Sequence, residues 1–273
     1  YMSPKIASGG HGIKRGLTAV EAAILMETPL DQVMTMILFG LVKKNAATVT
    51  SRTPLDLDIA SPMPDGLYEY ETGFLGAFKE QNKTTRQNLL QGTMVKLVKS
   101  VSEKIKGFSR QETIAYYKNI TEKAWRQVEQ AQTPEVQGQL YDENAEWTML
   151  DRDYDDRARR TFTRPIIMPA WWSRYDPVYA GGGRTISTGA PVPSGGRSGS
   201  SALPGADFAA SVVTGAQSFA SNVIGNVTEF TSKVTNVTNP PPPPSSSRSG
   251  GGRSGGCACA CAGCACACAG GGR

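Results

Sequence analysis

The first 256 of the 273 residues contain no cysteine, and the whole chain contains one histidine, His11. The missing thiols exclude disulfide stapling of a folded region there, and a core of this size needs none. A lone histidine inside the Gly-rich stretch SGGHG lacks the orienting partner that a general base requires, so it reads as a solvated linker side chain. Long apolar runs are missing too. The longest, VMTMILFGLV, falls short of the ~18–20 residues of a spanning helix. There is no basic-then-apolar leader. Charge is nearly balanced where folding is expected: six basic residues against two acidic ones lie in 181–273, a balance of +4 out of +5, which leaves the first 180 residues at +1. That excludes a basic domain of the kind that neutralises nucleic-acid phosphates.

What is present divides into segments. The 30 glycines and 17 prolines crowd the last third, so the folded part is expected in the first ~180 residues. Residues 1–16 read as a linker or juxtamembrane stretch without a fold of its own. In LTAVEAAILM, Thr18 and Glu21 have the spacing of a capping box and start a helix. A second apolar stretch, DQVMTMILFGLVKK, follows, then ATVT, the turn-like SRTP and the strand-like LDLDI. Helix, helix, hairpin is the order of a winged-helix-like unit over 17–60.

The region 67–180 reads as helical. Thr84 with Gln87 and Ser109 with Glu112 repeat the capping-box spacing. Leu90, Met94, Leu97, Val98, Val101 and Ile105 recur at helical intervals, as do Ile114, Tyr117, Ala124, Trp125 and Val128. Pro134 is expected to stop the second helix. A short helix and an extended segment should follow, laying Trp171 and Trp172 on the core for their area. DRDYDD has Asp151, Asp153 and Asp155 at calcium-loop spacing. Asp156, however, stands where that loop needs glycine and Phe162 where it needs glutamate, so we read an acidic turn neutralised by Arg157, Arg159 and Arg160.

Residues 181–202 form a Gly/Ser/Pro linker. Beyond it Phe208, Val212, Phe219, Val223, Val227, Phe230, Val234 and Val237 predict one amphipathic helix over 203–239 whose stripe needs a protein partner, the chain's own core or a membrane surface. A Pro/Ser/Gly spacer occupies 240–256.

The tail, 257–273, holds Cys257, Cys259, Cys261, Cys264, Cys266 and Cys268 alternating with alanine on either side of Ala262-Gly263. Alternation puts the thiols of each extended arm on one face, and a turn at Ala262-Gly263 would oppose the two arms at ~4.5–5.5 Å between Cβ atoms. Four to six sulfurs could then gather on zinc, copper(I) or an iron–sulfur cluster; disulfides and a low-complexity tail without chemistry are the alternatives.

LTAVEAAILMETPLDQVMTMILFGLVKKNAATVT resembles the winged-helix portion of the cytoplasmic C-terminal region of a bacterial membrane-protein family of unknown function. The likeness lies in Leu17 to Ala22, in the break at Thr28 and Pro29, and in Ile37 to Thr50, about a fifth of the chain. Gly- and Cys-rich tails recur in related proteins. The residues themselves read as a mainly α fold with a small β-hairpin followed by a largely disordered low-complexity tail, and the resemblance implies a position at the cytoplasmic face of a bacterial membrane and a membrane part before Tyr1. It supplies no catalytic residues. We therefore expect a non-catalytic interaction or scaffold region with a metal-binding tail. The alternatives are a winged-helix DNA-binding regulator and a cell-surface assembly subunit using the 208–237 stripe. For DNA reading the second helix offers only Asp31, Gln32 and Thr35 before Lys43 and Lys44.

Overall fold

Helix α1, Ala19–Leu25, starts where the sequence signals it. Thr18 Oγ1 accepts from the Glu21 amide at 3.2 Å, and Glu21 Oε2 accepts from the Thr18 amide at 3.1 Å. It ends at Glu27, whose φ of 57° lets the Thr28 amide reach back to Ala23 O at 3.0 Å. Helix α2, Leu30–Lys43, ends in the same way, with Asn45 at φ 58° and the Ala46 amide on Leu41 O at 2.8 Å. The two left-handed residues reverse the chain without glycine. The computed structural model describes residues 11–52, 54–163, 171–175 and 223–240, which are mainly helical with a two-stranded antiparallel sheet.

The run Val33 to Val42 is buried without interruption. A helix apolar on every side has to be enclosed, and α2 is, by elements from the whole described chain. The strands β1, Ala47–Arg52, and β2, Leu55–Ile59, follow it directly. Ala47 pairs with Ile59 and Val49 with Leu57, after which Thr50 is an extra residue that forms a bulge before Ser51 pairs with Asp56. Leu55 and Leu57 face inward, and Asp56 and Asp58 face out.

Helix α3, Glu69–Phe78, packs on α4, Lys83–Ile105. At Gly73 a Cβ would stand 2.8 Å from Thr93 Oγ1, so any larger residue would force the Thr93 side chain or the helices to shift. The six apolar residues predicted to form the α4 stripe are all buried. Helix α4 begins two residues before the spacing of Thr84 and Gln87 suggests, because Asn82 Oδ1 caps the Thr85 amide at 3.0 Å. Helix α5, Arg110–Glu129, is capped by Ser109 as expected, and its Trp125 is fully enclosed. Pro134 opens helix α6, Pro134–Thr148, from its N-terminal side rather than merely stopping α5. Helix α7 is Tyr154–Thr161, and the short turn α8 is Trp172–Tyr175.

Residues 12–16, expected as linker without a fold of their own, lie along α5 together with Leu17. The Ser109 amide donates to Gly12 O at 2.9 Å, the Lys14 amide to Thr113 Oγ1 at 3.0 Å, and the Leu17 amide to Tyr117 Oη at 2.9 Å. Of the predicted 203–239 helix, residues 223–239 are described, and they are not one helix: helix α9 spans Val227–Thr238. Gly225, at φ 79°, breaks the chain before it, and Asn226 Oδ1 then caps the Glu229 amide at 3.0 Å. Phe208, Val212 and Phe219 lie outside the described residues. Phe230 and Val234 are buried where α9 packs on α4 and α2, and Gln87 Nε2 donates to Val223 O and Ile224 O, both at 2.9 Å.

Tyr1–Pro240 forms one unit and Pro241–Arg273 another. The predicted divisions at 17–60 and 67–180 therefore share a single core. Among the described residues no helix is long and apolar enough to cross a membrane.

Candidate functional site

A crevice of about 390 Å³ opens between α3 and α4. Capping of α1 fixes its floor: Glu21, buried, spends one oxygen on the Thr18 amide and the other on the Lys104 ammonium. The Tyr70 hydroxyl donates to Thr18 Oγ1 at 3.2 Å, and burial pushes its pKa far up, so it stays a neutral donor. One wall is aromatic. Tyr68 stacks on Tyr70 with ring centroids 5.3 Å apart, and Lys44 Nζ lies 4.4 Å from the Tyr68 ring. The opposite wall is a face of α4 bearing Thr93, Lys96, Leu97, Ser100 and Lys104. The 3.6-residue period brings Lys96, Ser100 and Lys104 into line.

Behind Tyr68 lies a more enclosed set of charges. Glu71 accepts from Lys44 Nζ with both oxygens at 2.7 Å and from the Tyr68 amide at 2.8 Å. Glu146, on α6, faces Lys43, Lys44 and Glu71. Desolvation raises its carboxyl pKa above the ordinary 4.5, the two lysines oppose the rise, and Glu71 adds to it. A raised folded-state pKa means that this group's contribution to stability is complete below about pH 4.5 and is lost as pH rises through the folded value. Replacing Glu146 with Gln removes the ionisation penalty. Its thermal midpoint is expected above the wild type's at pH 7.5 and level with it at pH 4; an equal offset at both pH values would contradict this account.

The acidic turn behaves as a structural knot. Arg157 bonds Glu129 at 2.7 Å, Glu122 at 2.8 Å and Asp151 at 3.1 Å, and lies 5.2 Å from the Trp125 ring. Arg159 pairs with Asp155 at 2.9 Å, and Phe162 is fully buried, away from any ligand role. Among the described residues no group of His, Cys, Asp and Glu could hold a metal ion. Trp171 and Trp172 are core: Phe39 stands 5.6 Å and 6.1 Å from their rings and 4.5 Å from that of Tyr175. His11 is exposed. Cys257, Cys259, Cys261, Cys264, Cys266 and Cys268 lie outside the described residues.

The crevice escapes sequence reading because it takes residues from three helices. Its one local signal is Lys96, Ser100 and Lys104, spaced four residues apart on a helix whose apolar stripe is legible. No family model, curated protein or solved structure matches this chain.

Proposed function

We propose that the chain is a non-catalytic interaction and scaffold region of a bacterial membrane protein, on the cytoplasmic face, with a tail that binds a soft metal ion through its cysteines. The observation that carries the reading is the enclosure of α2. In a winged-helix regulator this helix, ahead of the hairpin, would enter the major groove with its polar side chains free. Here four of them are engaged: Gln32 Nε2 on Met149 O at 2.7 Å, Thr35 Oγ1 on Asp31 O at 2.8 Å, Lys43 on Asp142 and Lys44 on Glu71; Asp31, an acid, is no phosphate contact. The helix–helix–hairpin order is compatible with a winged-helix ancestry used as a core instead of a reading head. Glu21, Glu71 and Arg157 are likewise engaged by structural partners, which favours interaction over acid–base chemistry. The assembly alternative is weakened by Phe230 and Val234, which the chain's own core covers.

A scaffold presents an outer surface to a fixed partner. In cells, a photo-cross-linking residue placed at Leu89, Lys99 or Lys118, all exposed, is expected to give discrete adducts from at least one position. Retention on duplex DNA at low salt should not depend on Lys43 or Lys44. Absence of adducts at all three positions, or DNA retention abolished by Lys43→Gln with Lys44→Gln, would overturn the proposal.

A further inference from the structure

We propose that the α3–α4 crevice receives an acidic peptide segment of a partner protein, one that carries an aromatic side chain beside its carboxylate. This rests on the interaction reading above and names the chemistry of the partner.

The donors come first. Lys96, Ser100 and Lys104 stand at successive intervals of four on one face of α4, three hydrogen-bond donors in a row along the wall. Lys104 is tied to Glu21, which leaves two of its three N–H groups for a ligand. Lys96 is nearly uncommitted: its ion partner, Glu69, is 4.0 Å away, and the two side chains are 75% and 81% exposed. A pair so placed contributes little. A carboxylate entering between Lys96 and Ser100 would replace Glu69 with a better-positioned acceptor.

Acceptors decide between a peptide and a bare anion. Thr72 Oγ1 donates its proton to Glu69 O, and Thr93 Oγ1 donates to Leu89 O, each at 2.9 Å. Both hydroxyls therefore offer lone pairs, which suit a peptide N–H. An unprotonated phosphate has no donor for them. The aromatic wall supplies the third element: Tyr68 is 47% exposed although it is held by Tyr70 and Lys44, so the ring is preorganised apolar surface that a ligand's aromatic side chain can cover. The size of the crevice suits a short stretch of chain.

Glu69 gives the test a direction that misfolding cannot imitate. The probe is the blocked tetrapeptide acetyl-Asp-Tyr-Asp-Phe-amide, titrated into the full reduced chain while the amide signals of Gly73 and Ser100 are followed. Saturable shifts at both positions are expected. Lys96→Gln should weaken binding about tenfold, the loss of one charge-assisted bond. Glu69→Gln should tighten it, and the Asn-for-Asp peptide should bind more weakly than the probe. The proposal is overturned if the acidic peptide gives no saturable shift, if the Asn peptide binds equally well, or if neither variant changes the affinity. It is overturned too if inorganic phosphate or phosphatidylglycerol vesicles shift these signals while the peptide does not. Adducts from Leu89, Lys99 or Lys118 that persist despite a negative titration would leave the scaffold reading standing and reject only this site.

Discussion

Replacing Phe39 with Ala is expected to lower the free energy of unfolding by about 3–5 kcal/mol, the usual cost of deleting a buried aromatic ring. Phe39 is 4% exposed, and its ring packs against those of Trp171, Trp172 and Tyr175 together. Polar contacts also hold this segment, among them Trp171 Nε1 to Asp142 Oδ1 at 2.5 Å and Arg174 Nε to Val42 O at 3.3 Å. Neither polar contact replaces the lost apolar area, so the segment 171–175 should detach before the rest of the chain unfolds. Urea denaturation gives the first quantity and the rate of tryptic cleavage after Arg174 the second. Phe39→Leu, which keeps most of the volume, should lose less. A loss under about 1.5 kcal/mol for the alanine variant, the scale of a volume-conserving swap, would mean that the ring cluster is peripheral.

Deleting residues 257–268 is expected to bring the metal content of protein purified under reducing conditions down to background, from at least one zinc or copper(I) ion per chain. The reasoning is the chemistry of the sequence. Six thiols within twelve residues can converge with little loop-closure cost, and thiolates select soft ions. Each ligand must shed a proton from a group with pKa near ~8.5, so affinity should fall steeply as pH is lowered. No cysteine precedes Cys257, so chelation should leave the helical circular dichroism signal unchanged. Equal metal content with and without the segment, or helix loss on chelation, would refute this expectation.

Local signals were the readable ones. The Thr18–Glu21 box and the α4 stripe depend on residues three or four apart, and both stand where the pattern puts them. The hairpin was legible for the same reason, since Leu55 and Leu57 alternate with aspartates. Thr84 and Gln87 have equally good capping spacing, yet Gln87 is committed to Val223 and Ile224, 136 and 137 residues away, and Asn82 caps the helix instead. A partner so distant leaves no trace in local spacing. Helix α3 lacked an early signal because its two glycines and short length blur the period, although Gly73 is what permits its contact with Thr93. The crevice was hidden for a related reason: Glu21, Tyr68 and Lys96 come together only when α1, α3 and α4 do.

The lead-in at residues 12–17 has a mechanical meaning. Its attachments run in the same order as α5, residue 12 to 109, 14 to 113 and 17 to 117. A tension drawn back along the axis of α5 loads all three in shear at once, and they must fail together. The same tension applied across that axis meets them singly, Gly12 first, and peels the segment away at a much lower force. The direction of pull at residue 11 thus decides whether the load reaches the core through Tyr117 or is dissipated before it.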